Sequence, residues 1–263
     1  MKLTVLMENT TCNDALCAEH GLSLYLETAQ HNILFDAGKT AAFAENAKAM
    51  GIDLQSVDIA ILSHGHYDHG GGLACFLAQN DHAPVYISQH AFSPCYHGNE
   101  RYIGLDPALQ GNSRLIAVHD DLQIDATLSI SSCNGLPCVQ AVDSAGLCVQ
   151  QGVEYLPEQF LHEQYLTIRE DGRNILISGC SHKGILNIMA WHKPDVLVGG
   201  FHFMNVDVST GESALLDAAA VQLSNYHTKY YTCHCTGQPQ YEYLKQKMGN
   251  QLHYLATGQV CML

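Results

Sequence analysis

The chain has 263 residues, 47% of them hydrophobic and only 14% charged, a composition that supports a sizeable core and excludes a disordered chain. Twelve Lys+Arg against 26 Asp+Glu leave a net charge of −14; with no basic cluster present, a nucleic acid is not an expected partner. No apolar run reaches the ~18 residues of a membrane span, and Leu3–Met7 stops too soon for a signal peptide. No membrane association and a cytoplasmic location are therefore expected.

Taken in chain order, Leu3–Met7, Leu22–Thr28 and Asn32–Phe35 read as strands, and Thr40–Met50 as an Ala-rich helix stopped by Gly51. Asp58–Leu62 reads as a buried strand. Ser63–Gly72 follows as a Gly- and His-rich loop, then Leu73–Gln79 as a helix and Val85–Ser88 as a strand. From 89 to 137 the pattern is irregular and broken by prolines. It reads as a lid or insertion within a single domain covering residues 1–263. Val139–Val142 and Gly146–Gln150 read as a hairpin. Tyr165–Arg169 and Asn174–Ser178 read as another, around Glu170-Asp171-Gly172-Arg173. Helices are expected over Gly184–His192, Glu212–Tyr226 and Gln238–Met248, with strands over Asp195–Val198, Tyr230–Cys233 and Leu252–Leu255. Two β-rich halves, each closed by β-α units, point to the α/β class: an αββα sandwich of two packed mixed sheets.

Eleven cysteines in a long chain without an evident leader read as reduced thiols, not a disulfide framework. No C-x-x-C pair is present. Cys12, Cys17, Cys75, Cys95, Cys148 and Cys261 read as small hydrophobes.

The sharpest local feature is Ser63-His64-Gly65-His66-Tyr67-Asp68-His69-Gly70-Gly71-Gly72, directly after a buried strand. On an extended loop His64 and His66, two apart, share a face. Asp68 and His69 sit where a helix begins and diverge, so the two pairs can serve two neighbouring metal ions. Imidazole and carboxylate suit zinc, and also manganese or iron. Further candidates sit at other strand ends. They are Cys180 and His182 in Gly179-Cys180-Ser181-His182-Lys183-Gly184, His234 in Thr232-Cys233-His234-Cys235-Thr236-Gly237, and His202 after Gly199-Gly200-Phe201. His162 opens the hairpin that leads to Cys180. The remaining nine histidines, His20 among them, receive no role.

His64-Gly65-His66-Tyr67-Asp68-His69 resembles the H-x-H-x-D-H signature of the metallo-β-lactamase-fold superfamily. Leu34-Phe35-Asp36-Ala37-Gly38 resembles that fold's first motif, in which an aspartate orients the metal loop. His162, Cys180 and His234 resemble its later ligand positions, with Cys180 standing where a bridging aspartate is usual. The Gly179–Ile185, Gly199–His202 and His234–Gly237 segments resemble the branch named for dihydropterin-methyl-ribofuranosyl-aminobenzene-phosphate synthase, whose members are metal-dependent hydrolases. The resemblance implies a hydrolase or transferase acting on a small pterin-like metabolite, with or without a phosphate. It implies two divalent ions, zinc first and Mn or Fe as alternatives. Cys180, His182 or both can serve as ligands.

In this reading Asp68 ligates and orients the nucleophile, Asp36 holds a loop amide or a ligand ring, and His202 donates a proton to the leaving group. Lys183 is the nearby cation for a phosphate, and Tyr96 or Tyr102 could stack on a ring. Three rival readings remain. A di-iron oxygen reductase typically has Glu where His66 stands. An RNA-processing nuclease conflicts with the charge. A non-catalytic metal or thiol sensor would use Cys233-His234-Cys235. Oligomeric state is not legible.

Overall fold

The computed structural model describes residues 1–263. The first half runs β1 (Lys2–Met7), β2 (Ser23–Glu27), β3 (Asn32–Phe35), α1 (Ala42–Ala49), β4 (Ile59–Ile61), α2 (Tyr67–Gly70), α3 (Leu73–Gln79) and β5 (Val85–Ser88). Short strands follow: β6 (Cys95–His97), β7 (Arg101–Tyr102), β8 (Leu115–Val118), β9 (Asp121–Gln123), β10 (Leu128–Ser131), β11 (Leu147–Gln151) and β12 (Glu154–Pro157). The chain closes with β13 (Tyr165–Glu170), β14 (Arg173–Ile177), α4 (Ile185–His192), β15 (Val196–Val198), α5 (Ala214–Ser224), β16 (Lys229–Thr232), α6 (Gln238–Met248), β17 (Leu252–Tyr254) and β18 (Val260–Met262). No helix is long and apolar enough to cross a membrane.

Two seven-stranded mixed sheets form, ordered β18-β1-β2-β3-β4-β5-β8 and β17-β16-β15-β14-β13-β10-β9. Strand alternation sorts the side chains. Ile33, Phe35, Ile175 and Ile177 enter the core shared by both sheets. Leu34 faces the other way, onto a cluster with Phe43 of α1 and Phe76 of α3. Leu176 and Leu197 likewise meet Ile188, Leu216 and Leu244 of α4, α5 and α6. Helices therefore cover both outer faces, the expected αββα arrangement.

Both sheets change from antiparallel to parallel at the middle. The strands β3, β4, β5 and β8 run parallel, as do β14, β15, β16 and β17. Parallel strands present their carboxyl ends along one edge, and ligands of open α/β sheets gather outside those ends. β3 delivers Asp36, β4 delivers Ser63–His69, β14 delivers Cys180 and His182, β15 delivers His202, and β16 delivers His234.

Two sequence expectations need correction. The stretch 89–137 is not all insertion: β8 joins the first large sheet, and β9 and β10 join the second. The additional layer is a small sheet, β12-β11-β6-β7, assembled from residues on both sides of β8–β10. The hairpin expected from Val139 to Gln150 does not form. Val139 and Gln140 donate their N–H groups to Asn187 Oδ1 at 2.8 and 2.9 Å, so a side chain of α4 takes the bonds a ladder would need. β11 pairs instead with β12 and β6.

Candidate metal centre

The strand ends bring nearly all of the expected donors into one cluster. His69 Nε2 lies 3.1 Å from Cys180 Sγ and 3.2 Å from His234 Nε2. Asp68 Oδ2 is 3.3 Å from His234 Nε2. At the other end His64 Nε2 faces His182 Nε2 at 3.3 Å, and the His66 ring is 4.9 Å from that of His182. The rings of His64 and His69 are 4.1 Å apart and join the two ends. Cys180 and His182 thus both enter the cluster, one at each end. His64 with His66 and His182, and His64 with His69 and Cys180, have donor atoms all within 4.8 Å.

The loops that do this are tightly specified. Asp36, Ser181, His202 and His234 all have left-handed backbones, with φ of 60, 59, 56 and 48°, a strain that clusters at functional sites. Gly65 is required by close approach: a Cβ there would sit 2.0 Å from the Ala91 carbonyl oxygen. Asp36 lies against this loop. Its carboxylate accepts from Ser63 N at 2.7 Å and from Ser63 Oγ at 2.8 Å, and contacts His69 Nδ1 at 2.6 Å.

Burial sets the charge states. His64 and His182 are pushed well below the usual imidazole range by burial and by neighbouring histidines. Burial lowers His234 to about 4, against the pull of Asp68. These rings are neutral at pH 7 and offer lone pairs. Burial would also lower His69, but Asp36 outweighs it and raises the group. Burial alone would raise Asp68; the imidazoles of His20, His234 and His69 around it outweigh burial and hold the carboxyl well below its usual range. Burial and Cys235 push the Cys180 thiol up. His182 Nδ1 is buried without a hydrogen-bond partner. Imidazole nitrogens thus face one another at 3.2–3.3 Å around a carboxylate and a thiol. The donor set suits zinc or a neighbouring divalent ion.

Three expected residues land differently. His162 is buried near His66, with ring centroids 5.0 Å apart. Its Nδ1, however, accepts from Gly65 N at 2.9 Å and its Nε2 faces Glu158, so it lies behind the cluster. Lys183 is buried and donates to Ser132 O, Asn134 Oδ1 and Glu163 O at 2.8, 2.7 and 3.1 Å. It braces a loop and does not reach the pocket. His202 does line the pocket beside His182, but burial lowers it to about 4. Tyr96 and Tyr102 pack edge-to-face on each other at 5.4 Å in the small sheet.

Two pocket residues were missed. His20 Nε2 lies 3.3 Å from Asp68 Oδ2 and its ring is 4.7 Å from that of His234. Arg101 lines the cavity mouth and donates to Tyr67 Oη at 2.6 Å. Neither stands in a ligand-like spacing; His20 lies in a loop and Arg101 in a two-residue strand. The pocket these residues share has a volume of about 280 Å³.

Residues 18–180 match the model of the metallo-beta-lactamase superfamily. An uncharacterised protein of Methanocaldococcus jannaschii is 28% identical over 214 residues, covering 78% of this chain and 80% of that one. The same organism's 7,8-dihydropterin-6-methyl-4-(beta-D-ribofuranosyl)-aminobenzene-5'-phosphate synthase is 26% identical over 252 residues, covering 86% and 83%. The crystal structure of Tm1679, a metal-dependent hydrolase of the beta-lactamase superfamily, superposes with a TM-score of 0.84 at 26% identity, covering 100% of this chain and 99% of that one. With the family match spanning more than half of its length, the chain belongs to the metallo-beta-lactamase superfamily.

Proposed function

We propose that the protein is a metal-dependent hydrolase, or a transferase of the same chemistry, acting on a small anionic metabolite. The single observation that carries this reading is the convergence of His64, His66, Asp68, His69, Cys180, His182 and His234 into one buried cluster, five of which (His66, Asp68, Cys180, His182 and His234) line one pocket. Asp68, His69, Cys180 and His234 would hold one divalent ion, and His64, His66 and His182 the other, zinc being our choice for both. Such ions supply Lewis acidity and a water acidified from a pKa of 15.7 to about 7.

The chain's own groups do the rest. Asp68 Oδ2 lies 3.3 Å from both His20 Nε2 and His234 Nε2 and keeps a negative charge beside the reacting centre. His202, neutral and at the wall, takes up a proton. Arg101 at the mouth replaces Lys183 as the cation that meets an anionic substituent, because its planar fork suits carboxylate or phosphate. A neighbouring cavity of about 480 Å³ shares Ala145, His182, His202 and Asn205 with the pocket and is walled by Phe201 and Phe203. It leaves room for an apolar or aromatic part of the substrate. A phosphorylated pterin fits that description, and the 26% identical synthase supports the choice.

The sensor reading has less behind it. Cys233 points into the core between the sheets, whereas Cys235 lies against Cys180 O at 3.2 Å, so the Cys-His-Cys run is not a thiol cluster. Metal analysis of anaerobically purified protein tests the proposal, together with turnover on phosphodiesters, phosphomonoesters, thioesters and lactones. One to two equivalents of metal and hydrolysis of one class are expected. A His66→Ala variant retaining full metal and full turnover would overturn it.

A further inference from the structure

A buried carboxylate, Glu158, lies behind the pocket with three hydrogen-bonding side chains converging on it. One oxygen, Oε1, is met by Cys95 Sγ at 3.1 Å and by His162 Nε2. The other, Oε2, is met by His66 Nε2 at 3.4 Å. All four residues are buried. Glu158 follows β12, in the small sheet, and belongs to no ligand-like motif.

The proton positions follow from the geometry. Gly65 N–H donates to His162 Nδ1 at 2.9 Å, so that nitrogen carries the lone pair. A neutral His162 then bears its proton on Nε2 and donates it to Glu158. The same four side chains, His66, Cys95, Glu158 and His162, have donor atoms within 4.8 Å of one another; in this tautomer His162 is bound to Glu158 and the Gly65 amide. Cys95 contributes an S–H. A carboxylate that takes donors on Oε1 offers its second oxygen, Oε2, to a donor as well. Only the Nε2–H form of His66 satisfies it. The His66 lone pair is thereby left on Nδ1, and His66 shares a group of buried donors with His64 and His182.

We propose that Glu158 is a positioning residue for the metal centre: it fixes His66 in the Nε2–H tautomer, and through His162 and the Gly65 amide it fixes the backbone between His64 and His66. Outer carboxylates that hold a ligand imidazole in one tautomer set ring orientation and basicity, and their loss costs about 10–100-fold in metal affinity. Glu158 does for His66 what Asp36 does for His69, from a different sheet. The role concerns how the centre is built and holds whichever substrate the pocket takes.

The test is nitrogen-15 NMR of the histidine rings in metal-stripped full-length protein, followed by cobalt titration against a competing chelator. In the wild type, His66 should show a protonated Nε2 and an unprotonated Nδ1. In Glu158→Gln the amide cannot accept at both positions, so His66 should shift toward the other tautomer. Affinity for the weaker of two cobalt ions should fall about 10–100-fold, with a changed visible spectrum. Glu158→Asp should restore part of the affinity. Cys95→Ser, which keeps a donor, should leave the His66 tautomer unchanged. A wild-type His66 protonated on Nδ1 would overturn the proposal, and that measurement needs no variant to fold. So would a Glu158→Gln protein that melts like the wild type and keeps both tautomer and cobalt affinity. Because neither readout is turnover, failure here is distinct from failure of the hydrolase reading.

Discussion

The floor and the rim of the pocket are built on different principles. On the floor every ring is buried, and its outer nitrogen or its backbone is usually tied to a fixed partner. His69 is held by Asp36, while His234 has Asn9 Oδ1 at 2.7 Å from Nδ1 and donates its own N–H to Glu8 at 2.6 Å. The rim is half open. Arg101 and His97 are exposed and Met204 is 39% exposed. Arg101 rests over the Tyr67 ring at 5.5 Å, with Lys39 at 5.8 Å from the same ring. Floor geometry must hold to a fraction of an ångström, whereas rim contacts need only select what enters. Changes to the floor should therefore cost stability and metal together, and changes to the rim should cost substrate affinity alone.

The largest effect is expected at Asp36. Asp36→Ala removes the acceptor of two Ser63 bonds and the partner of a buried His69. Breaking such a pair costs about 3–5 kcal/mol, and losing an outer carboxylate costs about 10–100-fold in metal affinity. Urea unfolding and chelator competition read the two numbers. If both stay at wild-type values, the floor is not organised from Asp36.

Acid should strike the floor next, provided metal is absent. In the unfolded chain the histidines take up protons near pH 6.5. In the folded chain burial holds His202 and His234 at about 4, and keeps His64 and His182 well below the ordinary value. Between those limits the unfolded state binds more protons, so stability is full above the unfolded value and falls as pH drops through it toward 4. His69, raised by Asp36, works in the opposite sense and offsets part of the loss. The expected outcome is a urea midpoint that declines steadily from pH 7 to pH 5 in chelator and much less with zinc present. A flat midpoint in chelator would show that the floor histidines are not held neutral.

These effects also mark what the sequence could and could not reveal. His64, His66, Asp68 and His69 are legible because one loop carries them all at ligand spacing. Cys180, His182 and His234 are legible because each follows a buried strand, and parallel topology brings strand ends to one edge. The order of elements in both halves is legible for the same reason: hydrophobic periodicity survives without tertiary information. What was not legible depends on contacts between distant stretches. His162 has a plausible interval to Cys180, but whether its nitrogens face a metal or Glu158 is decided by the Gly65 amide and the small sheet. Lys183 looks like a free cation until Ser132, Asn134 and Glu163 close around it. β8 and β10 hide in an irregular tract because their partners, β5 and β13, lie outside it.

The rim should show its independence through Arg101. Arg101→Gln removes the charge at the mouth while leaving the floor untouched. Hydrogen bonds to charged groups contribute about 1.5–3 kcal/mol, so KM for an anionic substrate should rise about 10–100-fold with kcat and metal content unchanged. Lys183→Met should show the reverse: a lower melting temperature from three abandoned acceptors and little change in KM for the protein that remains folded. Equal kinetic losses in the two variants would erase the distinction between floor and rim.

The smallest effect serves to assign the acid limb. Asp125, far from the pocket in the turn between β9 and β10, accepts from Thr127 N, Thr127 Oγ1 and Leu128 N at 2.6, 2.8 and 2.9 Å and contacts His31 at 2.6 Å. Burial pushes its carboxyl up, but those bonds outweigh it and hold the group at about 2. A depressed carboxyl contributes stability above its unfolded value near 3.9 and loses it as pH falls toward 2. Asp125→Asn keeps one oxygen acceptor and gives up a partly exposed charge, so the loss at pH 7 should be only about 0.5–1 kcal/mol. Its window lies below that of the floor histidines. The variant should therefore lower the whole urea curve slightly between pH 7 and pH 5 without altering its slope. A change of slope in that range would mean that the acid response belongs partly to the carboxylates of the outer sheet and not to the buried imidazoles.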